Sequence, residues 1–223
     1  MSKGKAKKGK LSSKDKKTYS SGRVKRGKAP ERVLTTSQYR KALPELRRDF
    51  HDRCAYCMRH IGTETEMQVD HFDPRMKQDK IQVYSNLFLA DAHCNGAKSD
   101  EWPTDEERAA GCRFLNCCEE EDYDKVIFED FDTHELIGTT TAAKYHIEVI
   151  DLNDPGLILE RKHRFDMLAK LNALLDKTSS DPVEQKLVSD IADLVKDLIP
   201  PIKGPPGTWT ELPIVTGIKV KTK

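Results

Sequence analysis

Cys54-Ala-Tyr-Cys57, Val69-Asp70-His71-Phe72-Asp73-Pro74 and Asn86-Leu87-Phe88-Leu89, the last running on into His93-Cys94-Asn95-Gly96-Ala97-Lys98, decide how this chain is read. Each is ambiguous alone. A C-x-x-C step lets two thiolates reach one ion from a tight turn, but a redox pair or two packed cysteines reads the same way. An Asp-His pair at the end of a strand-like stretch is more often structural than catalytic, and a lone Asn is more often a turn or cap residue. The spacing joins them: 14 positions separate Cys57 from His71, 15 separate His71 from Asn86, and nine separate Asn86 from Asn95.

Composition outside this stretch narrows the setting. The chain has 223 residues, with 38 Lys and Arg against 37 Asp and Glu. That near-neutral sum hides a split, because residues 1–28 carry 12 bases and one acid while the remainder carries 26 bases and 36 acids. Like charge with little to bury predicts a disordered basic arm at residues 1–28 that attracts polyanions. There is no run of 18 apolar residues and no apolar stretch near Met1, so a membrane span and a secretory signal are not expected and the cytoplasm is the expected location. All six cysteines fall between Cys54 and Cys118, and in a reducing compartment they favour metal ligation over disulfides.

The flanks read as helical. Tyr39, Leu43, Leu46 and Phe50 fall three or four apart within 37–53, with Pro44 bending or restarting the helix. The stretch 101–135 holds 13 acids against Arg108, Arg113 and Lys125, an acidic surface with one strand candidate at 126–128. A further segment at 142–152 precedes a helix over 157–175 and a second over about 182–198, with Asp181 as cap and Val183, Leu187, Ile191, Leu194 and Leu198 in a stripe. These two predict a C-terminal helical hairpin, followed by a late strand at 214–220. The expected division is a basic arm (1–28), a central domain (29–152, motif core 54–100) and a C-terminal helical region and tail (153–223).

Taken together, the three segments resemble the motif of the HNH endonucleases: C-x-x-C, Asp-His, Asn-Leu, then Cys followed by His or Asn, then Lys. In that family eight residues lie between the Asn and the final His or Asn, as they do between Asn86 and Asn95. The resemblance implies an α+β fold with a ββα-metal, treble-clef-like core, and metal-dependent hydrolysis of phosphodiester bonds. His71 would be the general base, with Asn86 orienting its ring. Asp70 and Asn95 would hold a catalytic Mg²⁺ or Mn²⁺, an H-N-N variant of the motif, and Lys98 would meet a phosphate. DNA is the expected substrate and RNA the alternative, because catalysis at phosphate is indifferent to the 2′-OH.

The resemblance also implies a structural Zn²⁺ on Cys54, Cys57 and Cys94. Complete sites in the family carry a Cys where this chain has Asp91, so the fourth ligand would be Asp91, His93, or one of Cys112, Cys117 and Cys118. The alternative is that the cysteines only pack. A looser similarity, carried by Arg113-Phe-Leu-Asn116, Glu121-Asp-Tyr123, Leu152-Asn153, Leu159 and Arg161, points to the PtuB-like HNH effectors of Septu and retron-associated anti-phage systems. It implies a PtuA-like ATPase partner. One reading competes with a nuclease, a zinc-knuckle module that binds nucleic acid and cleaves nothing; a scaffold role, binding protein through the acidic stretch and C-terminal helices, is compatible with either.

Overall fold

The computed structural model describes residues 24–60, 66–120, 126–130, 132–177 and 181–195. The architecture is mixed α+β, helices with two small antiparallel sheets. The elements that position the site come first in the chain. A tight helical turn at Tyr39–Ala42 leads into α1 (Leu43–Asp49), and Pro44 sits in the first turn of α1, where its missing N–H costs no hydrogen bond. Strand β1 (Met67–His71) pairs antiparallel with β2 (Leu87–Asp91), in a register that sets Asp70 opposite Phe88 and His71 opposite Leu87. The chain turns from β2 directly into α2 (Ala92–Lys98), capped by the Asp91 carboxylate accepting from the His93 N–H at 2.8 Å.

All five residues of β2 are buried, which is why Leu-Phe-Leu-Ala runs unbroken there instead of alternating. The core gathers around it. Phe88 packs against Phe50, Tyr56 and Phe72 with ring centroids 5.5, 6.2 and 4.8 Å away, and Phe72 in turn meets Trp102 and Phe114. Leu46 of α1, Leu87 and Leu89 are also fully enclosed.

Beyond this unit lie α3 (Asp105–Ala109), closed by a capping box between Thr104 and Glu107, and a second sheet of β3 (Ile127–Glu129) and β4 (Leu136–Gly138). Helices α4 (Thr141–Val149), α5 (Pro155–Lys177) and α6 (Pro182–Val195) follow. Asp181 caps α6 by accepting from the Val183 N–H at 2.8 Å. Val183 and Leu187, on the expected apolar stripe, are exposed at 76% and 59%. No helix among the described residues is long and apolar enough to cross a membrane.

Two expectations need adjustment. The arm was expected to run free through residue 28, yet residues 24–28 are placed against the body. Val24 is buried and its N–H donates to the Cys117 carbonyl at 2.8 Å. The Arg26 guanidinium lies 4.7–5.3 Å from the Phe50, Phe88 and Tyr84 rings and donates to the Leu87 carbonyl at 2.6 Å. A cation over three aromatic faces is stabilised there, so a basic residue ends up docked rather than solvated. The acidic stretch is also not one solvated surface. Within it, Phe114, Leu115, Cys117 and Ile127 are core residues, and Glu129 is buried with its carboxylate 2.9 Å from His134 Nδ1. Residues 1–23 and the expected strand at 214–220 lie outside the described residues.

Candidate active site and thiol cluster

The Cys54–Cys57 turn is closed by the Cys54 N–H donating to the Arg59 carbonyl at 2.9 Å and by Met58 N–H donating to the Cys54 carbonyl, with Met58 in the left-handed region at φ 63°. Ala55 N–H then donates to Leu89, which ties the turn to β2, and Tyr56 N–H points at Cys54 Sγ from 3.4 Å. Cys94, in the first turn of α2, completes a buried group whose three sulfurs lie within 4.8 Å of one another. Burial would raise the Cys54 thiol, but hydrogen bonds from Cys57 and Cys94 and from the Asp91 backbone hold it well below the usual thiol range. Burial and the neighbouring Cys54 sulfur push Cys57 well up. Three soft donors converging in a buried pocket suit Zn²⁺.

Among the described residues the thiol group itself holds three donors, and of the fourth-ligand candidates from the sequence Asp91 and His93 have other partners. Asp91 is fully buried, but its carboxylate caps α2 and meets Arg59 NH1 at 3.2 Å. His93 turns the other way, its Nε2 being 3.8 Å from the Asp151 carboxylate. Among the described residues, Cys112, Cys117 and Cys118 are not part of the group. Elemental analysis of the purified protein is expected to find roughly one equivalent of zinc, reduced in Cys54→Ser.

Asp70, His71 and Asn95 line one cleft of about 490 Å³ together with Gln68, Tyr39, Arg40 and Lys77. Asp70 comes from the middle of the β1–β2 ladder and His71 from its end, while Asn95 comes from α2, so the strand-strand-helix turn brings distant residues to one wall. Asp70 is 2% exposed. Its Oδ2 accepts from the Tyr56 hydroxyl at 2.5 Å and faces Lys98 Nζ at 3.1 Å. Burial pushes the Asp70 carboxyl up and the Lys98 amine down, in each case against the pull of the partner's charge. Burial, the Asp70 charge and the hydrogen bond to it hold Tyr56 well above the usual phenol range, so it remains a donor.

His71 is held on two sides. Its ring lies 4.5 Å from that of Tyr39, and its Nε2 is 2.6 Å from Gln82 Oε1. Burial lowers its pKa against the hydrogen bond to Gln82 and the charge of Asp70, both of which raise it. Asn86 does not bond the imidazole. Its side chain clasps the backbone that leaves β1: Oδ1 accepts from the Asp73 N–H at 2.8 Å and Nδ2 donates to the Asp73 carbonyl at 3.1 Å. The Phe72 N–H also donates to the Asn86 carbonyl at 2.9 Å, so Asn86 fixes the chain on which His71 rides. Lys98 has no exposure at all; besides Asp70 it donates to the His71 carbonyl at 2.9 Å and lies 5.5 Å from the Phe114 ring. It therefore sits behind the cleft wall and not at the phosphate-facing surface expected of it. Asn95 donates to Gln68 Oε1 at 2.7 Å, which leaves its amide oxygen as the donor atom for a cation.

A buried carboxylate, a neutral imidazole and an amide oxygen sharing one cleft, with a thiol cluster behind the same helix, form a specific combination. Residues 54–101 match the family model of the HNH endonucleases. The HNH segment thus begins at the first knuckle cysteine and ends just past Lys98, taking in β1, β2 and α2. No curated protein and no solved structure matches the chain. Within the HNH segment and just before it, the structure adds residues that the motif letters do not name. Gln82 and Tyr39 hold His71, Tyr56 holds Asp70, and the exposed Arg40 and half-buried Lys77 bring positive charge to the rim of the cleft. Only Tyr56, inside the C-x-x-C step, had a position that hinted at a role.

Proposed function

We propose that the chain is a metal-dependent HNH endonuclease that hydrolyses phosphodiester bonds, with DNA as the expected substrate. The observation that carries this reading is the shared cleft of Asp70, His71 and Asn95 within the segment that matches the HNH endonucleases. His71, kept neutral by burial, takes the proton from the attacking water. Asp70 Oδ1, which among the described residues meets Lys98 at 3.5 Å, and the Asn95 amide oxygen are hard donors that fit Mg²⁺ or Mn²⁺. When bound, such an ion supplies charge stabilisation at the scissile phosphate and the leaving oxygen. Asn86 holds the β1 exit, Lys98 holds the Asp70 carboxylate and the His71 backbone, and Arg40 and Lys77 at the rim attract the phosphate backbone.

The wider role follows the looser resemblance: the nuclease effector of a bacterial anti-phage system acting in the cytoplasm with a PtuA-like ATPase. Two of the residues behind that resemblance, Asn153 and Arg161, act in this chain as fold contacts. Asn153 pairs with both the N–H and the carbonyl of Leu136, and Arg161 donates to His134, Leu152 and Asn153. These contacts fix the start of α5 on the second sheet.

The test is nicking of supercoiled plasmid by purified protein, alone and with candidate ATPase partner, in Mg²⁺, Mn²⁺ or chelator. Conversion to open circle that chelator stops is the expected result. Binding without cleavage under every one of these conditions would instead favour a zinc-knuckle binding module.

A further inference from the structure

His71 has two ring nitrogens, and a general base must present an unprotonated one. Which nitrogen carries the proton depends on the group facing it, and here that group is an amide whose own orientation is independently settled. Gln82 is 5% exposed. Its Nε2 lies 2.5 Å from the Asp79 carbonyl and 3.3 Å from the Lys77 carbonyl. Carbonyl oxygens only accept, so the end of the amide facing them is the NH₂ group and the end facing His71 is the oxygen. An amide oxygen 2.6 Å from His71 Nε2 requires that nitrogen to be the donor. The proton of the neutral ring is therefore on Nε2. Nδ1 has no hydrogen-bond partner among the described residues, and it is the nitrogen left to accept a proton.

We propose that Gln82 is a positioning residue that fixes His71 as the Nε2–H tautomer and so assigns Nδ1 as the base. The assignment deepens the nuclease reading and rests on it for the word base; the tautomer itself does not. Tyr39, 4.5 Å away across the ring face, keeps the imidazole plane from rotating out of this bond. The turn containing Asp79 belongs to the same device, because the Thr36 hydroxyl also donates to the Asp79 carbonyl at 2.8 Å and the Gln82 N–H donates to Leu34 at 2.7 Å. Gln82 is thus anchored through both backbone and side chain before it meets His71.

The experiment is heteronuclear NMR of the full-length protein with nitrogen-labelled histidines, at a pH above the imidazole range, with the His71 signal identified by its loss in His71→Ala. Wild type is expected to show protonated Nε2 and bare Nδ1. Gln82→Met keeps the volume and removes the acceptor, so it should release the tautomer to a mixture and lower kcat about 10- to 100-fold with KM little changed. Gln82→Glu keeps an acceptor for Nε2 but loses the donors to Asp79 and Lys77. It should melt at lower temperature than wild type while holding the tautomer and most of kcat. A turn-anchoring role alone would make Glu as damaging to kcat as Met. A wild-type Nδ1–H tautomer, or an unaltered tautomer in Gln82→Met, would overturn the proposal. The Nε2–H tautomer in a protein that cleaves nothing would support it while sinking the nuclease reading.

Discussion

His71→Ala is expected to lower the rate of plasmid nicking by about 10²- to 10⁴-fold, the range spanned by a positioned general base, while the protein stays folded. The ring is buried, but its packing is local. It meets the Tyr39 ring and Gln82, and it stands at the end of β1 where the backbone is already held by Asn86 and Lys98. Those backbone bonds survive the substitution, so the strand register and the thiol cluster should survive with it. Circular dichroism and zinc content unchanged beside a lost rate would separate catalysis from folding; a rate equal to wild type would end the assignment of His71 as base. The pH dependence has a definite sign. Burial moves His71 below its ordinary value of 6.5, so the basic form persists to lower pH and the acid limb of the wild-type rate profile should fall below that value. Loss of rate would follow protonation as the pH drops.

The parts legible in the sequence were those carried by short-range spacing. The C-x-x-C turn, the Asp-His pair, the Asn just before the second strand and the Asn within the helix that follows it lie within a few residues of the backbone geometry that uses them. The helices were legible too, because Pro44, Asp181 and the three-four apolar spacing act locally. What was hidden depends on contacts across the chain. Gln82 reaches His71 from a turn with no motif of its own, 11 positions away. Asn86 was expected to touch the imidazole and instead holds the Asp73 backbone, a difference of partner that spacing cannot express. Arg26 belonged to a run of like charge, and only the three rings around it explain why it docks. Lys98 was hidden most deeply, since a lysine is assigned to the surface unless a partner is known.

Lys98→Met should destabilise the protein by about 3–5 kcal/mol, the usual penalty for removing one partner of a buried ion pair. In a chain of this size that corresponds to a fall in Tm on the order of 10 °C. The substitution leaves Asp70 enclosed with the Tyr56 hydroxyl and the more distant charge of Lys77 in place of a direct ion pair. The penalty should depend on pH. The folded-state pKa of Asp70 is raised by burial even with Lys98 present. Removing the ammonium raises it further, and a group whose folded pKa is raised contributes stability at low pH that is lost as pH rises through that pKa. The gap in Tm between wild type and Lys98→Met should therefore narrow on acidification from about pH 7 to about pH 5, and a gap that widened would contradict the pairing. Burial works against the charged form of both partners, so their attraction does not repay the cost of enclosing them. The double variant Asp70→Asn with Lys98→Met, which removes both charges, should accordingly recover most of the lost stability. It should not recover nicking, because the carboxylate that faces the cleft is gone. Stability restored with activity still absent is the outcome expected of a charge pair retained for the site it builds. Full activity in the double variant would show that neither residue serves catalysis.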